Sequence, residues 1–290
     1  MKKFPSKILL FGEHIINKGA HGLAIPYNEM YCQLSFDTTQ LNYYTHSNEV
    51  LTKLSEYIVN HREINTYYNT LNLKEDVNKG LGFCMNIPIG YGLGSSGAVT
   101  AAIFSKYKVK KLNDLAELKN VLAITESFFH GKSSGLDPIV SYLNKTIVIE
   151  KTPNVVHQEF NWEKHYNIYL LDTKTPRKTG PLVEQFLHKY NSNSSFQKVV
   201  DNEIIPLNNS IIADFINNKY DTVKIKQLSQ LQLENYNELI LPQYKDLWQK
   251  GLDNDTYYLK ICGAGGGGYF LVFSENKSLN LSDIRPINLQ

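Results

Sequence analysis

Pro88-Ile89-Gly90-Tyr91-Gly92-Leu93-Gly94-Ser95-Ser96-Gly97 lies between a short apolar run, Phe83–Ile87, and a small-residue stretch, Gly97–Tyr107, that reads as a helix. Glycines here let the backbone turn tightly and approach a ligand. The N–H groups at the start of the following helix have no intrahelical partner, and the helix dipole adds partial positive charge, so the junction suits a phosphate. Ser95 and Ser96 offer hydroxyls for capping the helix or for a hard metal ion.

Two familiar motifs overlap the region, and both fail. Gly92, Gly94 and Gly97 fit G-x-G-x-x-G, and Asp114 falls where a dinucleotide-binding acid is expected. But Asp114 follows the basic segment Lys106–Leu112 rather than a second hydrophobic strand, and it reads as a helix cap. Gly131-Lys132-Ser133 resembles the end of a Walker A loop, yet Glu126 stands where that motif needs its first glycine.

Outward from the loop, Lys7–Phe11, Tyr31–Phe36, Thr146–Glu150, Ile168–Asp172, Tyr257–Cys262 and Tyr269–Phe273 read as strands, and the first third of the chain as mainly strand. A helix capped by Asn113 or Asp114 runs to about Phe129, and Leu182 to about Leu239 is mostly helical. Strands and helices come in blocks, which predicts an α+β fold. Between the last two strands stands Gly263-Ala264-Gly265-Gly266-Gly267-Gly268. A plain hairpin needs about two special residues, so so many small ones imply close approach to a ligand or to the first glycine loop.

Two acids stand out. The helix from Asp114 aligns Leu115, Leu118, Leu122, Glu126 and Phe129 on one face, putting a carboxylate in an apolar stripe. Burying it unpaired is costly, so it calls for a cation or metal, a lysine being the plainer partner. Asp137 ends the loop Gly131-Lys132-Ser133-Ser134-Gly135-Leu136 and reads either as a general base or as a turn residue.

Length and composition set the outer bounds. The chain has 290 residues, 42% hydrophobic and 20% charged, with a formal net charge of +2, which is ordinary for a globular protein of one large domain or two joined ones. No basic run exceeds Lys110-Lys111, so nucleic acid is not an expected partner. Cys32, Cys84 and Cys262 are odd in number and far apart, which disfavours disulfides and zinc and fits a reducing compartment. The run Ile8–Phe11 is too short for a signal-peptide core, and no apolar stretch approaches the ~20 residues of a membrane span. A soluble, cytoplasmic protein is expected, and a homodimer is compatible with everything in the sequence.

Together these segments resemble the GHMP kinases. Ser6-Lys7-Ile8-Leu9-Leu10-Phe11-Gly12-Glu13-His14 is similar to the first motif of that superfamily, Pro88–Ser96 to the second, and Gly263–Gly268 to the third. Within it, His130-Gly131-x-x-Ser134-Gly135-x-Asp137 and Lys174-Thr175-Pro176-Arg177-Lys178-Thr179 resemble mevalonate kinases. Galactokinases continue differently after Gly12-Glu13-His14. The chain departs from the mevalonate kinase pattern at Gly97-Ala98, at Ser133 and at Asn144-Lys145.

The resemblance implies a two-lobed GHMP kinase fold, with a nucleotide-binding lobe over 1–150 and a second lobe over 151–290. It implies transfer of the ATP γ-phosphoryl group to the primary hydroxyl of mevalonate, a step toward isoprenoid precursors. Pro88, Gly90, Gly92, Leu93, Gly94, Ser95, Ser96, Gly97 and Gly265 would then bind ATP. Ser96 and Glu126 would ligate Mg²⁺, Asp137 and Lys7 would be catalytic, and Glu13, His14, Arg177 and Thr179 would bind mevalonate. Phosphomevalonate or a sugar is the alternative acceptor. An inactive nucleotide-binding regulator is a further alternative, disfavoured because Lys7, Ser96, Glu126 and Asp137 are all present.

Overall fold

The computed structural model describes residues 1–150, 153–156, 167–276 and 279–287. Its framework is two antiparallel sheets. The first is built on β1 (Phe4–Phe11) and the long β2 (Gly22–Ser35), with β3 (Gly82–Met85), β4 (Ile147–Ile149) and β5 (Pro153–Val155) added to it. The second has the order β7-β8-β6-β9, from β6 (Asn167–Asp172), β7 (Tyr258–Ile261), β8 (Tyr269–Ser274) and β9 (Ile284–Pro286). This is the expected α+β class. β5 lies just past residue 150 yet still pairs with β4 of the first sheet.

Every residue of β1 is buried, as expected of a continuous apolar run. At its end Phe11 lies 5.1 Å from Phe215, edge to face, and stacks 5.9 Å from Phe273 of β8. One hydrophobic core therefore runs through both sheets.

The first third is less strand-rich than its sequence suggests. Between β2 and β3 lie α1 (Ser47–Asn60) and α2 (Thr70–Asn78). Leu51, Leu54 and Ile58 of α1 are buried on one face, and this helical spacing outweighs the β-preferring Tyr57, Ile58 and Val59. Strand Tyr31–Phe36 is the end of β2, whose first half went unread.

After β3 come α3 (Ser95–Tyr107), α4 (Leu115–His130) and α5 (Leu136–Leu143). Asp114 caps α4, its side chain accepting from Ala116 N–H at 2.8 Å, which accounts for that acid without a dinucleotide. After β6 the chain is helical: α6 (Thr179–Ser192), α7 (Ser194–Val199), a π turn over Val200–Ile204, α8 (Ile205–Ile216), α9 (Thr222–Asn235) and, after two 3₁₀ turns, α10 (Lys245–Asp253). Among the described residues no helix is long and apolar enough to cross a membrane.

α3 packs against α5 with nothing to spare. A Cβ on Gly97 would come within 2.7 Å of the Asp137 backbone carbon and 2.8 Å of Pro138 N. Gly97→Ala gains about 1 kcal/mol of helix propensity but overpacks a backbone contact, typically at ~1–3 kcal/mol. We expect a net loss of stability in urea denaturation. An alanine variant as stable as the parent would show that the helices separate freely.

Candidate active site

The glycine loop is held from three sides. Leu93 C=O accepts from Lys7 N–H at 2.9 Å, and Gly90 C=O accepts from Arg177 N–H at 3.0 Å. Gly90, Gly92 and Gly94 all have positive φ, between 73° and 80°, which a side chain would oppose. The final glycine run lies against the same loop, as expected: a Cβ on Gly268 would meet Tyr91 O at 2.5 Å. Gly268 N–H donates to Thr175 C=O at 2.7 Å, and Gly266 N–H to Leu239 C=O at 2.6 Å. Gly265 packs on Leu239 rather than facing the first loop, whereas Gly263 and Ala264 line the cleft below.

α3 begins two residues earlier than its sequence suggests. Gly94, in a left-handed conformation, is the N-cap, and no side chain caps the helix. Ser95 and Ser96 are the first helical residues rather than caps, because the positive φ at Gly94 already starts the turn. Among the described residues the leading N–H groups of α3 are left without a side-chain acceptor, as an anion site requires.

Asp137 lies in the first turn of α5, where a carboxylate suits the helix dipole. Its Oδ1 pairs with Lys7 Nζ at 2.7 Å. Lys7 is only 5% exposed on β1. Burial pulls its pKa down, but the charge and hydrogen bond of Asp137 more than offset this and hold it above the ordinary lysine value.

Glu126, from the apolar face of α4, is buried. It meets hydroxyls: Ser96 Oγ donates to it at 2.8 Å, and Ser133 Oγ makes a second, short bond. Among the described residues it has no ion-pair partner, so the expected lysine is absent. Ser96 Oγ also lies 3.0 Å from His130 Nε2. The residues fit a Mg²⁺ ion: a hydroxyl and a carboxylate converge at the open helix start, hard oxygen donors that leave most coordination positions to phosphate and water.

Beside these lies a cleft of about 730 Å³ lined by Lys7, Asp137, Glu13, His14, Arg177 and Thr179, among others. His14 has φ 64°, a strained conformation of the kind concentrated at functional sites. Its Nε2 faces Ala264 C=O at 3.1 Å. A carbonyl only accepts, so Nε2 carries the hydrogen and Nδ1 is a bare acceptor. Burial lowers the imidazole pKa to about 4, so the ring is neutral near pH 7. Arg177 donates to Thr179 Oγ1 at 3.2 Å and Cys262 C=O at 3.3 Å. Glu13 Oε1, His14 Nδ1 and Arg177 Nε are buried without hydrogen-bond partners among the described residues.

The structure therefore gathers Lys7, Glu13, His14, Gly92, Asp137, Arg177 and Thr179 around one cleft, with Ser96 and Glu126 adjoining. Pro88, Gly90, Leu93, Gly94, Ser95 and Gly97 belong to the loop and the start of α3 but do not line the cleft. Three residues escaped the sequence reading. Ser133 bonds Glu126. Lys119, about two helical turns before Glu126 on α4, lines the cleft. Lys260 forms a short ion pair with Glu13, and a lysine inside the apolar run Tyr257–Cys262 was the available signal.

Residues 64–145 match the family model "GHMP kinases N terminal domain". The chain carries that domain within a GHMP kinase fold. No curated protein sequence matches the chain. Among solved structures, Methanococcus jannaschii mevalonate kinase superposes with a TM-score of 0.61 at 19% identity, over 98% of this chain and 96% of the other. The L. major mevalonate kinase in complex with R-mevalonate gives 0.62 at 16%, over 96% and 88%. Streptococcus pneumoniae phosphomevalonate kinase, in complex with phosphomevalonate and AMPPNP, gives 0.61 at 16%, over 95% and 92%. At these identities the likeness is one of fold, and the GHMP kinase fold extends over nearly the whole chain.

The titration of Glu126 gives a test of the site without ligand. Burial, and then the Asp137 charge, raise its pKa from 4.5 to about 7. The folded carboxyl holds its proton more tightly than the unfolded one, so the favourable contribution is present below pH 4.5 and is lost as pH rises to about 7. In EDTA, Glu126→Gln should therefore flatten the fall in melting temperature between pH 5 and 8 and be relatively more stable at the alkaline end. Parallel profiles for the two proteins would contradict the buried, proton-binding carboxyl.

Proposed function

We propose that this protein is an ATP-dependent small-molecule kinase whose acceptor is the primary hydroxyl of mevalonate. The observation that carries the reading is the 2.7 Å pair of Lys7 and Asp137 in a cleft beside the uncapped start of α3. Phosphoryl transfer asks a protein mainly for positioning and charge neutralisation, and these residues are suited to both.

In this reading the N–H groups of Gly92–Ser96 hold the nucleotide phosphates. Ser96 and Glu126 hold Mg²⁺, which offsets phosphate charge when bound. Asp137 accepts the proton of the attacking hydroxyl. Lys7 pairs with Asp137 and counters charge on the transferred group. Glu13 Oε1 and His14 Nδ1, both bare acceptors, receive acceptor hydroxyls. Arg177, with its free Nε, and Lys119 face the acceptor carboxylate, and Thr179 sits beside Arg177. An acceptor with hydroxyls and one carboxylate matches this mixture of groups. Residues 1–150 with β5 are taken as the nucleotide-binding lobe and the remainder as the second lobe. A cytoplasmic setting, where ATP is abundant, suits the activity.

An ADP-release assay with mevalonate, phosphomevalonate and galactose tests the acceptor: turnover is expected with mevalonate, and turnover with another acceptor alone overturns that part. For the chemistry, Asp137→Asn should lower kcat by about 10²–10⁴-fold with little change in ATP affinity. Lys7→Met should act similarly, and the double variant should be little worse than the poorer single, as for groups acting as a unit. Losses that multiply cleanly would mean the two do not work together.

A further inference from the structure

Lys260 is 2% exposed and Glu13 3% exposed, and they meet in a direct ion pair. Lys260 belongs to β7 of the second sheet, next to the final glycine run. Glu13 follows β1 of the first sheet. The lysine is saturated: Nζ also donates to Ile261 C=O at 2.9 Å and lies 5.6 Å from the Phe11 ring centroid. The carboxylate is not. Its Oε2 takes the lysine, while Oε1 is buried without a partner among the described residues, and Glu13 lines the cleft.

A buried pair with every polar atom satisfied is a plausible structural cross-link. A pair with one oxygen left bare at a cleft is different, because an unsatisfied buried acceptor is costly to keep. A ligand hydroxyl would satisfy it. We propose that Lys260 is a positioning residue for acceptor binding: it takes Oε2 of Glu13 and orients the carboxyl group so that Oε1 accepts a hydrogen bond from an acceptor hydroxyl. This rests on the reading of Glu13 as an acceptor-binding residue.

The charges around Glu13 support the need for Lys260. Burial raises the Glu13 pKa above the ordinary carboxylate value; Lys260 is the main group pulling it back, followed by the backbone N–H of Glu13 itself and, at longer range, Lys7. Among the described residues the other neighbours of Glu13 add no further cation. His14 is neutral, its pKa lowered to about 4. Tyr236, just past α9, keeps its phenol proton, its pKa raised by burial and by Glu13 itself. Burial, then Glu13, push the Cys262 thiol up to about 11. Without Lys260 the carboxyl would hold its proton to higher pH, and Oε1 would no longer be an acceptor in a fixed place.

Three variants test this in the full-length protein with ATP, Mg²⁺ and the acceptor that the wild type turns over best among mevalonate, phosphomevalonate and galactose. Lys260→Met should raise the acceptor KM at least tenfold at pH 7 and leave the ATP KM within twofold. The acceptor KM should fall again as pH is raised, while the wild-type value stays flat. Lys260→Met leaves a buried charge unpaired and so also loses melting temperature. Lys260→Met with Glu13→Gln removes both charges and should recover the melting temperature, but its acceptor KM should remain as poor as that of Glu13→Gln alone. If the double variant regains both stability and acceptor KM, the pair is structural only and the proposal is wrong. Equal rises in the ATP and acceptor KM values for Lys260→Met overturn it as well. The wild-type acceptor preference tests the mevalonate reading separately; a wild type active on none of the three would remove both.

Discussion

Asp137 can stand 2.7 Å from Lys7 because two residues at the packed start of α3 have no side chains. Ideal Cβ atoms on Gly94 and Gly97 would lie 3.1 Å from Asp137 Oδ2 and 2.7 Å from its Cβ. Their absence lets α5 press its first turn onto the first turn of α3. That contact brings the carboxylate under the open helix start and within reach of the lysine on β1. The Lys7 N–H bond to Leu93 C=O then ties strand and loop together, so backbone and side chain of the same residue fix the two halves of the site. A helix crossing even an ångström wider would leave Lys7 buried and unpaired.

Buried ion pairs seldom add much stability over a well-packed apolar alternative, because desolvation consumes most of the Coulomb energy. This cleft nevertheless has two, Lys7 with Asp137 and Lys260 with Glu13. Each joins residues far apart in the chain, and each brings a carboxylate to the same cavity. Their arrangement differs in a useful way. Asp137 is partly open to solvent, its side chain 29% exposed, which suits the proton-accepting role proposed for it. Glu13 is shut in, which suits a fixed acceptor and not a proton shuttle. The same chemical pair, placed at two depths, offers two different services.

The α+β class and the order of the three glycine or lysine-bearing segments were legible because their signals are local: positive-φ glycines, short apolar runs and a capping aspartate at position 114. Glu126 was legible as a carboxylate in a helical apolar stripe. What escaped depends on contacts remote in sequence. Nothing near Glu126 announces that Ser133 will supply a hydroxyl in place of a lysine. Nothing near Glu13 announces Lys260, although a lysine flanked by Leu259 and Ile261 in a strand is a charge that must find a partner. The serines after Gly94 were misread as caps because their composition fits that role, and only the backbone at Gly94 decides otherwise. Helix α1 was hidden by residues with strand preference on a helical period.

The phosphate side and the acceptor side of the cleft carry different kinds of information. In the proposed reading the glycine loop, the α3 start, Ser96 and Glu126 would address phosphates and a hard cation, and those needs are common to kinases with different acceptors. They say little about which acceptor is used. That choice falls to the groups left unsatisfied: two bare acceptors on Glu13 and His14, and a free donor on Arg177. Acceptors and donors on one wall select a molecule that both gives and receives hydrogen bonds, and unpaired buried groups penalise one that cannot. A larger or doubly charged acceptor has to place its added anion near Glu13 or find a second cation, and Lys7 and Lys260 are already engaged with carboxylates. Among the described residues Arg177 and Lys119 are the positive charges left lining the cavity, and in the proposed reading this balance of charge would favour a singly anionic hydroxy acid.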